Sequence, residues 1–345
     1  MMLRDYLARR LTLFFFMLLL LSAFTFSLAY LFPGEAISNL SGVQTPTPME
    51  RDALSQKYAL DKGYIAQYGK FISNIFHGDW GTSFSSGQPV FEHIKELFPA
   101  TIELAFYALI VSIIIGVPAG ILSAAYHKRL PDYTINSFAL IGISTPIFWL
   151  ALILIMVFCL QLGWLPMSGR VGLLYEIPDT TGFILIDIAL SDIDYKQQAF
   201  IDAFKHLTLP TLVLATYPTS VLTRFTKDST LTVLDKPYIK TARAKGLTRY
   251  EIITRHALKN ALLPIIKQIG LQFSTLITLA MITEVIFSWP GVGQWLINSI
   301  YQRDYPAISG GLLTVSLFVI IANIAADILH NLLDPVSRNQ SHGKV

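Results

Sequence analysis

The sequence predicts an all-α polytopic membrane protein with six transmembrane helices and with both its N and C termini in the cytoplasm. Three observations carry this expectation. Only 14% of the residues are charged while 53% are hydrophobic, whereas a soluble domain carries about a quarter charged residues. Several apolar runs reach the roughly 20 residues that, at ~1.5 Å rise each, cross a ~30 Å hydrocarbon core. Lys and Arg are also distributed unevenly between alternate loops, as membrane orientation requires.

The expected spans are 11–32, 101–126, 135–162, 207–225, 262–287 and 307–333. Arg4, Arg9 and Arg10 precede the first, which resembles a secretory signal in that respect. Its apolar stretch exceeds a signal's 7–15-residue core, so a retained helix is expected. In the second span, Gly116-Val117-Pro118-Ala119-Gly120 has the small-residue spacing that lets helices pack closely. Pro118, Pro146 and Pro210 are expected kink positions.

Orientation follows from the loops. Lys128 and Arg129 lie between spans two and three, and 224–267 holds ten Lys/Arg against Asp228, Asp235 and Glu251. Segment 163–206 has the opposite balance, with Arg170, Lys196 and Lys205 outnumbered by acids that include Asp187, Asp192, Asp194 and Asp202. The basic segments belong in the cytoplasm. The 33–100 insertion and the 163–206 loop face outward. In the insertion, Tyr58, Leu60, Tyr64, Ile65, Tyr68, Phe71, Ile72, Ile75 and Phe76 recur at roughly helical spacing. Pro46 and Pro48 read as a linker, and 183–190 is apolar but too short to span.

The hairpin 226–261 between spans four and five is the most informative stretch. Pro237 suits a first helical turn and Gly246 the left-handed position beyond a helix end. Thr248 followed by Glu251 is a capping-box pattern that starts a second helix through Ile252, His256 and Lys259. Tyr238, Ala242 and Gly246 are expected to share one face, with Ala244 nearby, so that small residues let another protein approach the backbone. Lys240, Arg243 and Lys245 supply charge around that contact. On charge alone, a basic segment resting on anionic lipid would account for the stretch.

Other chemistry is thin. Cys159 is the sole cysteine, which excludes an intramolecular disulfide and a Cys-based zinc site. The histidines His77, His93, His127, His206, His256, His330 and His342 show no metal-ligand spacing, so no metal is expected. The sequence lacks a Gly-rich phosphate loop and any serine–histidine–acid arrangement, so this is a non-catalytic chain with no cofactor of its own. A net charge of +3 gives no case for nucleic acid. Glu284, near the outer end of span five, is the most notable intramembrane acid. A cationic-solute pathway or outer gate and a helix-packing hydrogen bond are equally open readings for it; Thr145 and Pro146 are further pathway or gate candidates. Glu103 reads as an acid at the N-terminus of span two. Asn323 and Asp327, one turn apart, read as structural anchors.

The run Tyr238-Ile239-Lys240-Thr241-Ala242-Arg243-Ala244-Lys245-Gly246-Leu247 resembles the coupling-helix signature of ABC importer membrane subunits. The leading Glu is absent, and Leu263-Pro264 lies further from the glycine than in the general pattern, both of which resemble the peptide-permease branch. Pro33-Gly34-Glu35, Gly78-Asp79-Trp80-Gly81-Thr82-Ser83, Pro99-Ala100-Thr101-Ile102-Glu103-Leu104 and Ser144-Thr145-Pro146-Ile147-Phe148-Trp149 are similar to the dipeptide/oligopeptide/nickel permease family. So are Gly163-Trp164-Leu165-Pro166, Trp289-Pro290-Gly291-Val292-Gly293, Arg303-Asp304-Tyr305-Pro306 and Leu332-Leu333-Asp334-Pro335. Within that family, 181–187 and 270–275 look like the Sap branch, connected with antimicrobial-peptide uptake.

The resemblance covers nearly the whole chain and implies one type I ABC importer-like transmembrane domain over 1–345, in a bacterial inner membrane. It implies that Thr241, Ala242 and Gly246 fill the small positions of a helix docked on an ATP-binding subunit. It further implies a second homologous permease, two ATP-binding cassette subunits carrying ATP and Mg, and a periplasmic solute-binding protein. The expected solute is a peptide or another cationic solute, taken up by alternating access. The alternatives are polyamine (putrescine) export by the same type of complex and an ion-coupled secondary carrier. Carriers of that kind often show internal repeats, and none is found in this sequence.

Overall fold

A computed structural model describes residues 3–333, with side chains described over 12–328. The Arg4, Arg9 and Arg10 side chains, His330, Asp334-Pro335 and His342 lie outside those ranges. The described chain is helical, with an isolated bridge between Thr82 and Pro89.

Helix α1 (Leu3–Leu31) leads into the 33–100 insertion, built from α2 (Ala36–Ser41), α3 (Pro48–Tyr58) and α4 (Tyr64–Phe76). Pro48 opens α3 rather than lying in a linker. It occupies the first turn, where its missing N–H costs nothing. Thr47 and Glu50 close a capping box ahead of it, and the bonds from Thr47 hold the Glu50 carboxyl below its ordinary pKa. Tyr58, Tyr68 and Phe71 pack with Leu40 against Phe26 and Ala29 of α1, so the insertion rests on the first span.

Helix α5 (Val90–Ala125) starts well before the expected boundary at 101 and runs through Pro99 and Pro118. Helix α6 (Leu130–Ser144) is followed by α7 (Ile147–Leu154), which continues through a π-helical turn, Ile155–Gln161. The expected continuous span 135–162 is therefore two helices, bent by 102° at Thr145-Pro146. Pro146 supplies no N–H and disfavours a helical residue before it, and Thr145 is accordingly extended at φ −81°, ψ 122°.

Beyond a short outer helix α8 (Ile184–Leu190) comes α9 (Lys196–Leu234), which packs against α5, α6, α7, α8 and α12. Added Cβ atoms at Gly116 and Gly120 of α5 would run into the α9 carbonyls of Thr219 and Thr223, so the small-residue pair sets how closely these helices approach. Then follow α10 (Pro237–Ala244), α11 (Arg249–Glu251) with a π-helical turn at Ile252–Ala257, α12 (Leu258–Phe287), α13 (Val292–Gln302) and α14 (Tyr305–Leu333).

Among the described residues, four helices are long and apolar enough to cross a membrane, at 12–31, 90–125, 249–287 and 305–328; the bent pair makes a fifth. The sixth expected span, 207–225, lies within α9, which is not one of those four. Surrounded by other helices, α9 buries Leu207, Leu209, Val213, Leu214 and Leu222 inside the protein, so its sequence need not be uniformly apolar.

Candidate functional site

The hairpin folds as two short helical pieces around Gly246. Pro237 starts α10, and Gly246 adopts φ +80°, with its N–H donating to the Arg243 carbonyl at 3.0 Å. That left-handed conformation is costly for residues with a Cβ. Thr248 then caps the returning helix: Glu251 N donates to Thr248 Oγ1 at 3.3 Å, and Thr248 N donates to Glu251 Oε2 at 2.9 Å.

One face of α10 is buried. Ile239 is 0% and Ala242 8% exposed, packed with Val233, Leu234, Ile252, Ile253, Ala257, Ala261 and Ile265. Ala242 thus faces the chain's own core, and the expectation that it shares an outward face with Tyr238 and Gly246 is corrected. Its neighbours at the helical spacing supply the reason: residues 239 and 242 form the inward row, three apart, leaving 238, 241, 244 and 245 outside. Tyr238, Lys240, Thr241, Arg243, Ala244, Lys245 and Gly246 are exposed, and Leu247 is half-buried. Asn260 donates to the Tyr238 hydroxyl at 2.7 Å, which steadies the ring. A Cβ at Gly246 would meet nothing within 4 Å in this chain. The outward surface is small, basic and ordered from behind.

The other sequence motifs converge at the opposite end of the bundle. Glu284 is 0% exposed, and its Oε2 accepts from Gly293 N at 2.7 Å and Gln294 N at 3.1 Å, the free amides at the start of α13. Gly291 and Gly293 carry no side chain because a Cβ at either would collide with that carboxylate. Trp289 Nε1 donates to the Ala100 carbonyl at 3.0 Å, and Val292 N to Thr101 Oγ1 at 3.0 Å. Glu284 is therefore held as the N-terminal anchor of α13. Thr145 is half-buried and donates to the Ile141 carbonyl at 2.7 Å; Pro146 is exposed at the bend, apart from Glu284's anchor.

Glu103 differs from its sequence reading. Since α5 begins at Val90, Glu103 lies inside the helix and not at its N-terminus; it is fully buried and paired with Arg170 of the 163–206 loop. Arg170 also donates to the Gly182 carbonyl and lies 5.7 Å from the centre of the Trp289 ring. Asp304 accepts from Ser83 Oγ at 2.6 Å and from Ser85 N at 3.1 Å, tying 78–83 to 303–306. Asp187 accepts from Thr181 N at 2.7 Å and Gly182 N at 3.0 Å, giving 181–187 a rigid corner. The sequence pattern displayed these residues as separate strings, and only the fold shows that they bond to one another.

Asp327 faces Lys267 at 4.0 Å, in keeping with an anchoring role. Asp132 was not singled out by the sequence, yet it is 3% exposed and bonded from several sides. The available signal was its place in the first turn of α6, where acids are favoured. Among the described residues, no group of His, Cys, Asp and Glu is placed to hold a metal ion.

The signature strings thus knit the end of the bundle away from the hairpin, whose basic elbow stays exposed. Residues 116–339 match the family described as binding-protein-dependent transport system inner membrane component, and 2–105 match its N-terminal companion family. The chain belongs to this family. It is accordingly an inner-membrane permease component of a binding-protein-dependent transport system, which sets aside the ion-coupled carrier. It is 42% identical over 336 residues to the di/tripeptide transport system permease protein DppB of Pseudomonas aeruginosa, covering 97% of this chain and 99% of that one. It is 46% identical over 270 residues to the putrescine export system permease protein SapB of Escherichia coli K12, covering 78% of this chain and 84% of that one. A solved chain of the inward-facing MetNI methionine ABC transporter matches with TM-score 0.52 at 16% identity, covering 68% of this chain and 93% of that one, and shares its fold.

Proposed function

We propose that this family member is the permease half-pathway of an ABC importer of peptides, and that 238–247 is the element through which partner ATPases drive it. The supporting observation is the two-faced α10. Ile239 and Ala242 bind it to the bundle, while Tyr238, Thr241, Ala244, Lys245 and Gly246 are exposed. A face of small and basic residues admits close approach by another backbone and complements acidic groups. Motion applied there enters α9 and α12 directly, because both helices contribute to the cluster behind α10.

In this reading the chain crosses the membrane six times with both termini in the cytoplasm. A second permease completes the pathway, two ATPase subunits bind ATP and Mg, and a periplasmic binding protein delivers the solute. The peptide assignment draws on relatives named as dipeptide and peptide permeases. Putrescine export, for which the Escherichia coli K12 relative is named, is the second reading.

The test is Gly246→Trp in the assembled complex. A Cβ at Gly246 meets open space within the chain, so the local cost is that of the left-handed backbone, about 1–2 kcal/mol; the bundle is expected to fold, as Gly246→Ala controls, while the tryptophan variant fails to co-purify ATPase subunits and loses peptide uptake. Retained ATPase and uptake would refute the docking role. Vesicles given dipeptide, cationic peptide or putrescine then separate the solutes by which one accumulates, and on which side.

A further inference from the structure

On the side of the bundle that holds the hairpin, the corner between α5 and α6 is tied to α9 through one buried carboxylate. Asp132 accepts from Lys128 N at 2.9 Å, from Lys227 Nζ at 2.6 Å, and from Ser123 Oγ and Asn136 Nδ2; His127 Nδ1 lies 3.3 Å away. Lys227 belongs to α9 and is itself largely buried. Lys128 takes a left-handed φ of +61°, which aims its N–H at the carboxylate. A non-glycine residue in that region is strained and persists only where surrounding bonds hold it there.

We propose that Asp132 and Lys227 are positioning residues for transport: they make the α5–α6 corner and the lower end of α9 move as one body. The proposal rests on the hairpin reading above. Lys227 stands about two turns before α9 ends at Leu234, and α10 starts at Pro237. Val117, Ile121 and Ala125 of α5 pack on the apolar cluster behind α10. The hairpin thus meets α5 through an apolar contact and α9 through the continuous chain, and the ion pair locks α9 to the α5–α6 corner, where Ser123 of α5 also bonds Asp132. Asp132 opens α6, and the far end of α6 is the 102° bend at Thr145-Pro146. A displacement of the hairpin is carried along α6 to that bend.

Buried ion pairs contribute little net stability because desolvation offsets their attraction. What converging donors do provide is direction: the carboxylate is satisfied in only one relative placement of α5, α6 and α9. An apolar contact of the same size would allow these helices to slide.

The test compares Lys227→Met and Lys227→Arg in the full complex, reconstituted with its second permease, ATPase subunits and binding protein. Lys227→Met costs stability, as losing one partner of a buried pair does, but leaves Asp132 three donors, Ser123, Asn136 and the Lys128 amide, and Tm and complex assembly of the variant check that the fold is retained. Expected are ATP hydrolysis within about two-fold of the parent and solute moved per ATP lowered about ten-fold, with Lys227→Arg restoring most of it. Unchanged transport, a parallel fall in hydrolysis and transport, or failure of the arginine variant to rescue would each overturn the pair's role. Should the unsubstituted chain itself fail to retain ATPase subunits, the hairpin reading falls, and this one with it.

Discussion

The two ends of the bundle use their polar residues in opposite ways. At the end away from the hairpin, Glu103, Glu284, Asp187 and Asp304 are buried, and each is spent inside the chain, on Arg170, on the amides that open α13, on the 181–182 corner and on Ser83 with Ser85. At the hairpin, Lys240, Arg243 and Lys245 stand in solvent, Gly246 faces empty space, and the only side chain bonded across the hairpin from this face is Tyr238, to Asn260. A motif whose residues satisfy one another explains itself by folding. One whose residues find little within the chain points to something outside it. By this contrast, substitutions at the end away from the hairpin should act on stability and substitutions on α10's exposed face on partnership.

The largest effect is expected from Arg170→Met. It strands the fully buried Glu103, and removing one partner of a buried pair costs about 3–5 kcal/mol. Thermal unfolding of the detergent-solubilised protein should show a large drop in Tm; an unchanged Tm would break the contrast at its strongest point. Glu284→Ala comes next. It leaves the Gly293 and Gln294 amides unpaired, a loss of about 2–3 kcal/mol in the same assay. Were Glu284→Ala to leave Tm intact while changing the affinity for cationic solute, the pathway reading would replace the anchor. The smallest change in Tm is expected from Arg243→Ala combined with Lys240→Ala, within about 0.5 kcal/mol since both are exposed surface positions. The same double variant should measurably weaken ATPase co-purification, most visibly at low salt, where the lost charges are least screened, with the difference shrinking as salt is raised. A drop in Tm with unaltered co-purification would reverse the proposed division between the two ends.

The sequence made much of this legible, for identifiable reasons. Pro237, Gly246, Thr248 and Glu251 act through the backbone within a few residues, so the hairpin's corner and cap were readable from spacing. The close approach at Gly116 and Gly120 was readable because small residues at one helical spacing leave little else to do. Ala242 was misplaced because the row that faces inward is set by Val233, Ile253 and Ala261, which belong to other helices. Glu103 was misread because the start of α5 was judged from hydropathy, while the helix continues outward through polar residues and Pro99. Asp132 escaped notice because Lys227 approaches it from a distant part of the chain. Local backbone chemistry is written in neighbouring letters; pairing between helices is not.

The π-helical turn at Ile252–Ala257 gives chain length a meaning of its own. It stacks Ile252 over Ala257, five residues on, and turns Ile253 into the same apolar cluster, after which Ala261 and Ile265 follow at intervals of four. Deleting a single residue there would rotate everything before it by about 100°, turning the elbow's oily underside to water and its basic surface toward the bundle. The connection between hairpin and membrane is thus dimensioned like a keyed shaft, in which a one-residue indel is more disruptive than most substitutions along its length.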